Sequence, residues 1–359
     1  MQKFSSAIFA ATVFVFFNLA LASVHAAEAG KFASIGWFLA GLDQSKSDQS
    51  KESRPLNEAT NSHASYLDAR WKKFEAEKLG GIKNLAASVV KSQHDVAFYF
   101  FSGPDFPYVN ALFPNAKRYV LSGLEPAVLP VEIANIASDP AILFRIRASL
   151  RPYFEAGFFN TNEMLWKDSF AGALPLLMVF LSRAGYDVQN VRYVSIDDNG
   201  VPSFSDAPLK GANGLQIIFA DGQRETKELY YFRADLADGA TSSKTFLKFC
   251  DTFGEGVSLL KSASYLLHQN RFSDVRKFIL SHSSLIVEDD TGIPVRYLDR
   301  SIWQLRLYGR YRSPVGKFVK YDQPELRSLM KSEGDSPTAF ATGYLRQIDG
   351  SHFLVAKKR

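Results

Sequence analysis

The stretch from Asp95 to Pro126, DVAFYFFSGPDFPYVNALFPNAKRYVLSGLEP, constrains the fold more than any other part of the chain. Val96 to Phe101 is apolar and aromatic without alternation, which suits a strand buried on both faces rather than one facing water. It stops at Ser102-Gly103-Pro104-Asp105. Phe106 to Phe113 then has room for about two helical turns, after which Tyr119 to Leu121 rises as a second strand and ends at Ser122-Gly123-Leu124-Glu125-Pro126. A tight hairpin joins strands through about two to five residues, whereas a parallel crossover needs roughly a dozen or more. The spacing from Ser102 to Lys117 therefore predicts a parallel pair. Ligands of open parallel sheets gather beyond the carboxyl ends of the strands, so Asp105 and Glu125 are expected on one functional edge. The plainer reading makes both acids turn and helix-start residues.

Ahead of this stretch, Lys3 precedes an apolar run from Ala7 to Leu21, and Val24-His25-Ala26 offers small residues for cleavage after Ala26. That is the layout of a secretory signal peptide, and the run is shorter than the roughly 20 residues of a membrane span. The expected location is periplasmic or extracellular, with residues 27–359 as a single mature α/β domain and no transmembrane span in it. Loss of Lys3 would lower the formal charge of +5 by one. So small an excess is far from a nucleic-acid signature. Cys250 is the only cysteine, so neither an intrachain disulfide nor a cysteine zinc cage can form. The 30 Phe and 15 Tyr imply an aromatic-rich core instead.

Taken in order, Phe32, Ile35, Phe38, Leu39 and Leu42 have helical spacing, residues 44–53 read as a mobile polar loop, and residues 54–94 form a helical lead-in with Trp71 turned inward. Beyond Glu125 helices are expected over 133–142, 143–158 and 163–184. Strands follow at 191–196, 215–220 and 228–233, the first ending at Asp197-Asp198-Asn199-Gly200 and the others flanking Asp221-Gly222. Residues 244–265 read as one or two helices interrupted near Gly254 and Gly256, and Lys261 and Arg271 read as ordinary surface helix charges. Ser273 is placed to cap a helix over 274–280. Residues 284–287 and 293–298 bracket Glu288-Asp289-Asp290-Thr291-Gly292 as a hairpin. From Ile302 to Arg312 one face is apolar and the other carries Gln304, Arg306, Tyr308, Arg310 and Arg312. Short strands at 340–345 and 353–356 could close the sheet. The fold expected is α/β: a mixed sheet with a parallel crossover at residues 95–126, antiparallel additions and covering helices.

Candidate chemistry falls into two groups. Asp105, Glu125, Asp289 and Asp290, with Asp197, are acids at strand ends, and two carboxylates roughly 5 to 10 Å apart would suit glycoside hydrolysis. Oxygen ligands so gathered could instead hold Ca²⁺ or Mg²⁺, but no metal or cofactor is expected. Asp290-Thr291-Gly292 resembles the active-site turn of aspartic proteases. That chemistry needs a second such turn to share a proton, and the chain has no second copy. Nucleophile elbows, zincin helices and Walker loops are absent too. Ser102 with His268 as base is conceivable, although His268 sits where a helix end favours a positive charge. Ser102, Arg306, Tyr308, Arg310 and Arg312 form the binding group, because Arg forks grip anions and Tyr stacks on sugar rings. The plainer reading is a strand face made cationic against edge pairing.

The runs Phe98 to Asp105, Tyr119 to Pro126, Ala263 to His268, Asp289 to Pro294 and Leu307 to Tyr311 together resemble an exported bacterial family of proteins of unknown function. The resemblance implies one exported unit and transfers no catalytic residue. The leading expectation is a soluble envelope protein that binds an anionic or glycan ligand. A glycan or ester hydrolase and a non-catalytic interaction module are the alternatives.

Overall fold

The computed structural model describes residues 30–42, 58–90, 94–127, 140–159, 172–222, 225–334, 338, 340–341, 344 and 351–359. The leader and the loop at 44–53 lie outside the described residues. Ten strands form one sheet: β1 (Val96–Tyr99), β2 (Arg118–Gly123), β3 (Asp187–Ile196), β4 (Pro202–Ser205), β5 (Gly214–Ala220), β6 (Thr226–Arg233), β7 (Gly256–Leu260), β8 (Ser283–Glu288), β9 (Trp303–Gly309) and β10 (His352–Lys358). Their order is β4-β3-β5-β6-β2-β1-β7-β8-β10-β9.

The crossover expected from the first stretch is present, with β1 parallel to β2 from Val96 against Arg118 to Tyr99 against Leu121. The neighbours β6, β2, β1, β7 and β8 all run parallel. Along the chain they are third, second, first, fourth and fifth, so the winding reverses between β1 and β7. Such a reversal opens a crevice outside the carboxyl ends of the strands. On one flank β5, β3 and β4 add in antiparallel fashion. On the other, β10 enters antiparallel between β8 and β9.

Helices cover both faces. One cluster packs α1 (30–39), α2 (Glu58–Phe74), α3 (Gly80–Leu85), α4 (Phe106–Leu112), α5 (Pro140–Ala156) and α6 (Ala173–Arg183) against Tyr99, Tyr119 and Leu121. The other packs α7 (Thr241–Asp251), α8 (Ser273–His282) and α9 (Pro324–Glu333) against Phe98, Phe100 and Val120. Successive residues of a strand point to opposite faces, so a strand covered on both sides has no polar positions, as the run Val96 to Phe101 foretells. Burying a Phe contributes about 1.5–3 kcal/mol relative to leaving it in water, and Phe98, Phe100, Phe246 and Phe249 are all fully buried.

Several expectations are corrected. Residues 256–260 are not helical: they form β7, the second central strand. All five are buried, so no alternation marks them, and five residues are too few to separate strand from helix by pattern. Lys261 follows this strand and is 4% exposed, not a surface helix charge. The acid turn is not a hairpin, because β8 pairs with β7 and β10, while Val295–Tyr297 is a single 3₁₀ turn. Residues 140–156 form one continuous helix, with no break between Ile142 and Leu143. The start of α8 is capped from another loop, where Asp238 accepts the Ser273 and Asp274 N–H groups at 3.0 Å each. Residues 340–341 lie outside any strand, whereas 353–356 belong to β10.

Candidate functional site

A cavity of about 320 Å³ opens at the winding reversal. Its polar wall comes mainly from strand ends: Ser102 and Asp105 after β1, Glu125 after β2, Asp235 after β6, and Lys261 and Ser262 after β7, with Arg271 added from the 3₁₀ turn Asn270–Phe272. Its apolar wall includes Phe101, Leu236, Phe158, Phe159, Phe272 and Tyr344. A mostly apolar concavity with few convergent polar groups is the usual form of a small-molecule site, for which roughly 300–1,000 Å³ is typical.

Asp105 is held on every side. Tyr99 Oη donates to Oδ2 and Tyr153 Oη to Oδ1, each at 2.7 Å, and Lys261 Nζ lies 3.0 Å from Oδ2. Lys261 also donates to Gly157 O and stands 3.8 Å from the centre of the Tyr108 ring. Burial raises the Asp105 carboxyl above its usual range, opposed by the Lys261 charge and the tyrosine donors. Burial also drives both tyrosines well up, so they stay protonated donors. A carboxyl with both oxygens engaged is a framework group.

Glu125 is 2% exposed and folds back beneath two glycines. Tyr231 Oη lies 3.0 Å from its backbone oxygen and 3.1 Å from Oε2. Gly103, at φ +58°, brings its backbone against this carboxylate, and its N–H donates to Ser122 O at 3.1 Å. Ser102 Oγ donates to Gly103 O at 2.9 Å.

Two non-glycine residues among those described have positive φ: Phe101 at +60° and Ser262 at +65°. They follow the two strands that flank the reversal, and both line the cavity. A residue held in such a region costs of order 1–3 kcal/mol, and strain of this kind gathers at functional sites. Ser262 is 6% exposed and its Oγ has no hydrogen-bond partner.

The other predicted residues lie elsewhere. Asp289 and Asp290 follow β8 across Lys261 from the cavity, and neither lines it. Asp289 Oδ1 accepts the Thr291 N–H at 2.9 Å, and Asp290 is bonded by Tyr265 Oη with His352 Nε2 3.2 Å away. Asp197 closes the β3–β4 turn by accepting the Asn199 and Val201 N–H groups. His268 does not line the cavity, and burial lowers it to about 4. Arg306 projects from edge strand β9, Tyr308 stacks on Phe353 at 4.6 Å, and Arg310 and Arg312 lie beyond the strand. Of the named group, the cavity therefore joins Ser102, Asp105 and Glu125. It adds Lys261 and Ser262, whose signal in the sequence was a short apolar run ending in a polar pair, as at Ser102-Gly103.

Among the described residues no group of His, Cys, Asp and Glu is arranged to hold a metal ion, and no helix is long and apolar enough to cross a membrane. The acid turn has a different consequence. Burial, then the Asp290 charge, raises Asp289 to about 6, and burial raises Glu288 well above the usual range. Folded pKa values above the unfolded ones mean a contribution that is full below the unfolded carboxylate values and is lost as pH rises through the folded ones. Glu288→Gln keeps an acceptor for the Ile293 N–H, now 2.7 Å from Oε2, and removes the ionisation. It is expected to stabilise the protein on the order of 1 kcal/mol at pH 8, with the gain shrinking toward pH 5. Urea midpoints at the two pH values check this, and a pH-independent difference would refute the assignment.

Compared with known proteins, the chain matches no described family, no curated protein and no solved structure.

Proposed function

We propose that the chain is an exported binding protein whose cavity at the winding reversal takes a small, uncharged, hydroxyl-bearing ligand such as a sugar. The observation that carries this reading is Ser262, where a buried hydroxyl without a partner and a strained backbone coincide on the cavity wall. An unmade buried hydrogen bond costs about 1–3 kcal/mol, and a ligand hydroxyl would recover it. The aromatic wall suits the apolar face of a ring. A sugar is favoured over an anion because Lys261 is already matched by Asp105, and the other charged lining residues, Glu125, Asp235 and Arg271, leave the cavity with no positive excess. The cationic residues of and after β9 line none of this cavity.

Thermal denaturation with a panel of neutral monosaccharides and nucleosides tests the reading. A ligand at a hundred times its Kd adds about 2.7 kcal/mol of apparent stability, so binders should raise Tm by several degrees. A flat response across the panel counts against the reading. Ser262→Gly should stabilise the free protein by about 1 kcal/mol, since glycine accepts positive φ without strain, and should shrink the ligand-induced rise. Loss of stability in that variant would remove the strain argument.

A hydrolase acting through Asp105 and Glu125 is the second reading, favoured by their shared cavity. The engagement of both Asp105 oxygens weighs against it. Turnover of a model glycoside, lost in Asp105→Asn, would establish it.

A further inference from the structure

We infer that the loop after β9 is a docking surface for an anionic lipid bilayer. The loop covers residues 312–321, and it leaves and returns at one place. Tyr311 Oη donates to Asp322 Oδ1 at 2.8 Å and accepts the Gln323 N–H at 3.0 Å, which ties the two ends together. Arg327 Nε adds a bond to Arg312 O at 2.7 Å. The middle is fixed by Phe318, whose ring stacks on Tyr265 at 4.5 Å and on Tyr344 at 4.9 Å. Closed at its base and pinned at its centre, the loop has a defined outer side.

That outer side combines two properties. The first is charge. Arg310, Arg312, Lys317 and Lys320 are all exposed, and none of them forms an ion pair among the described residues. From Arg300 to Tyr321 the sequence contains no acid. The acid that ends this run, Asp322, is taken by Arg327. Four cations within eleven residues of a closed loop therefore face solvent with nothing nearby in the chain to neutralise them. The second property is apolar exposure. Pro314 is buried and Phe318 turns inward to its stack, which leaves Val315 37% and Val319 64% exposed. Val319 is the most exposed large apolar side chain among the described residues.

The combination selects the partner. Protection of a sheet edge accounts for Arg306 on β9, but not for cations beyond the strand and not for an aliphatic tip. A soluble polyanion would take the cations and leave Val319 in water. A bilayer takes both, because the guanidinium and ammonium groups sit among headgroup phosphates while the aliphatic side chains enter the boundary between headgroups and acyl chains. The loop has no helix long enough to span a membrane, so the contact is shallow and reversible.

Vesicle cosedimentation of the full chain tests the inference, with vesicles of phosphatidylcholine alone and of an equal mixture with phosphatidylglycerol. The mixed vesicles should bind the protein more tightly at about 0.1 M salt, and the preference should vanish at about 1 M, where the Debye length falls from about 10 Å to about 3 Å. Each basic side chain at such a surface is worth about fivefold in partition, so Lys317→Glu combined with Lys320→Glu should weaken binding at least about 25-fold. Lys72→Glu combined with Lys73→Glu makes the same change of net charge on exposed positions of α2 and should weaken it less than about threefold. Val319→Ser should cost about threefold. The apolar run from Ala7 to Leu21 is common to every variant, so differences among them report the loop. Equal binding to the two kinds of vesicle, or equal losses in the loop and control pairs, overturns the inference. Binding of soluble polyphosphate without binding of either vesicle overturns it too, and assigns the loop to a polyanion instead.

Discussion

Lys261→Met is expected to destabilise the protein by about 3–5 kcal/mol at pH 7, the range for removing one partner of a buried ion pair. Lys261 and Asp105 are 4% and 3% exposed at their side chains, and Nζ stands 3.0 Å from Oδ2. Methionine keeps the length of the stem and much of the contact with the Tyr108 ring, so the loss isolates the charge. The Tyr99 and Tyr153 hydroxyls still donate to the carboxylate, but two neutral donors do not replace a cation at the same depth. Without Lys261 the Asp105 carboxyl rises further above its unfolded value. Its protonated form is then the one the fold tolerates, so the deficit should shrink as pH falls from 7 to 4. Adding Asp105→Asn to Lys261→Met should recover most of the stability at pH 7. Chemical denaturation of the single and double variants decides the matter: a double variant no better than the single would mean that the cost lies in packing.

Gly123→Ala is the second large effect, expected at about 2–3 kcal/mol with loss of ligand binding. A Cβ at this position would overlap Glu125 Oε2 and come within 2.8 Å of both Gly103 Cα and Tyr231 Oη. The carboxylate could swing away only by leaving Tyr231 and entering the cavity. Gly103 has less freedom, being tied to Ser122 O and held at φ +58°. Gly222→Ala is the control, since a Cβ there meets nothing within 4 Å; it should lie within about 0.5 kcal/mol of wild type. Equal losses in the two variants would trace the effect to glycine replacement in general and not to crowding at the first turn.

The residues that made the fold readable are those whose pattern had one physical explanation. Val96 to Phe101 has no polar position because both faces of β1 are covered, and the gap to β2 is too long for a hairpin. The alternation around Trp303 to Leu307 was equally legible, because β9 buries one face and exposes the other. What stayed hidden was β7. Val257 to Leu260 is apolar but for Ser258, yet it is short, and Gly254 and Gly256 beside it read as helix interruptions. Losing that strand also lost Lys261 and Ser262, because a residue's place on a sheet edge is inherited from its strand. The acids showed the opposite difficulty. Asp105, Glu125, Asp289 and Asp290 all follow parallel strands, but only the strand order separates the pair at the reversal from the pair after β8, and strand order is a property of long-range pairing that local pattern does not encode.

The placement of β10 bears on when the molecule can be finished. Residues 352–358 fill the slot between β8 and β9, pairing Leu354 with Glu288 on one side and with Leu307 on the other. Synthesis thus delivers two strands that are consecutive in the chain but do not pair with each other, and supplies the one that joins them much later. Until then β8 and β9 each present an unsatisfied row of backbone groups, a template for pairing with another chain. The buried acid turn after β8 is likewise unsealed on the side that His352 closes. A chain halted before residue 352 would therefore be an aggregation hazard as well as an incomplete product, and holding it unfolded until that point is the safer order of events.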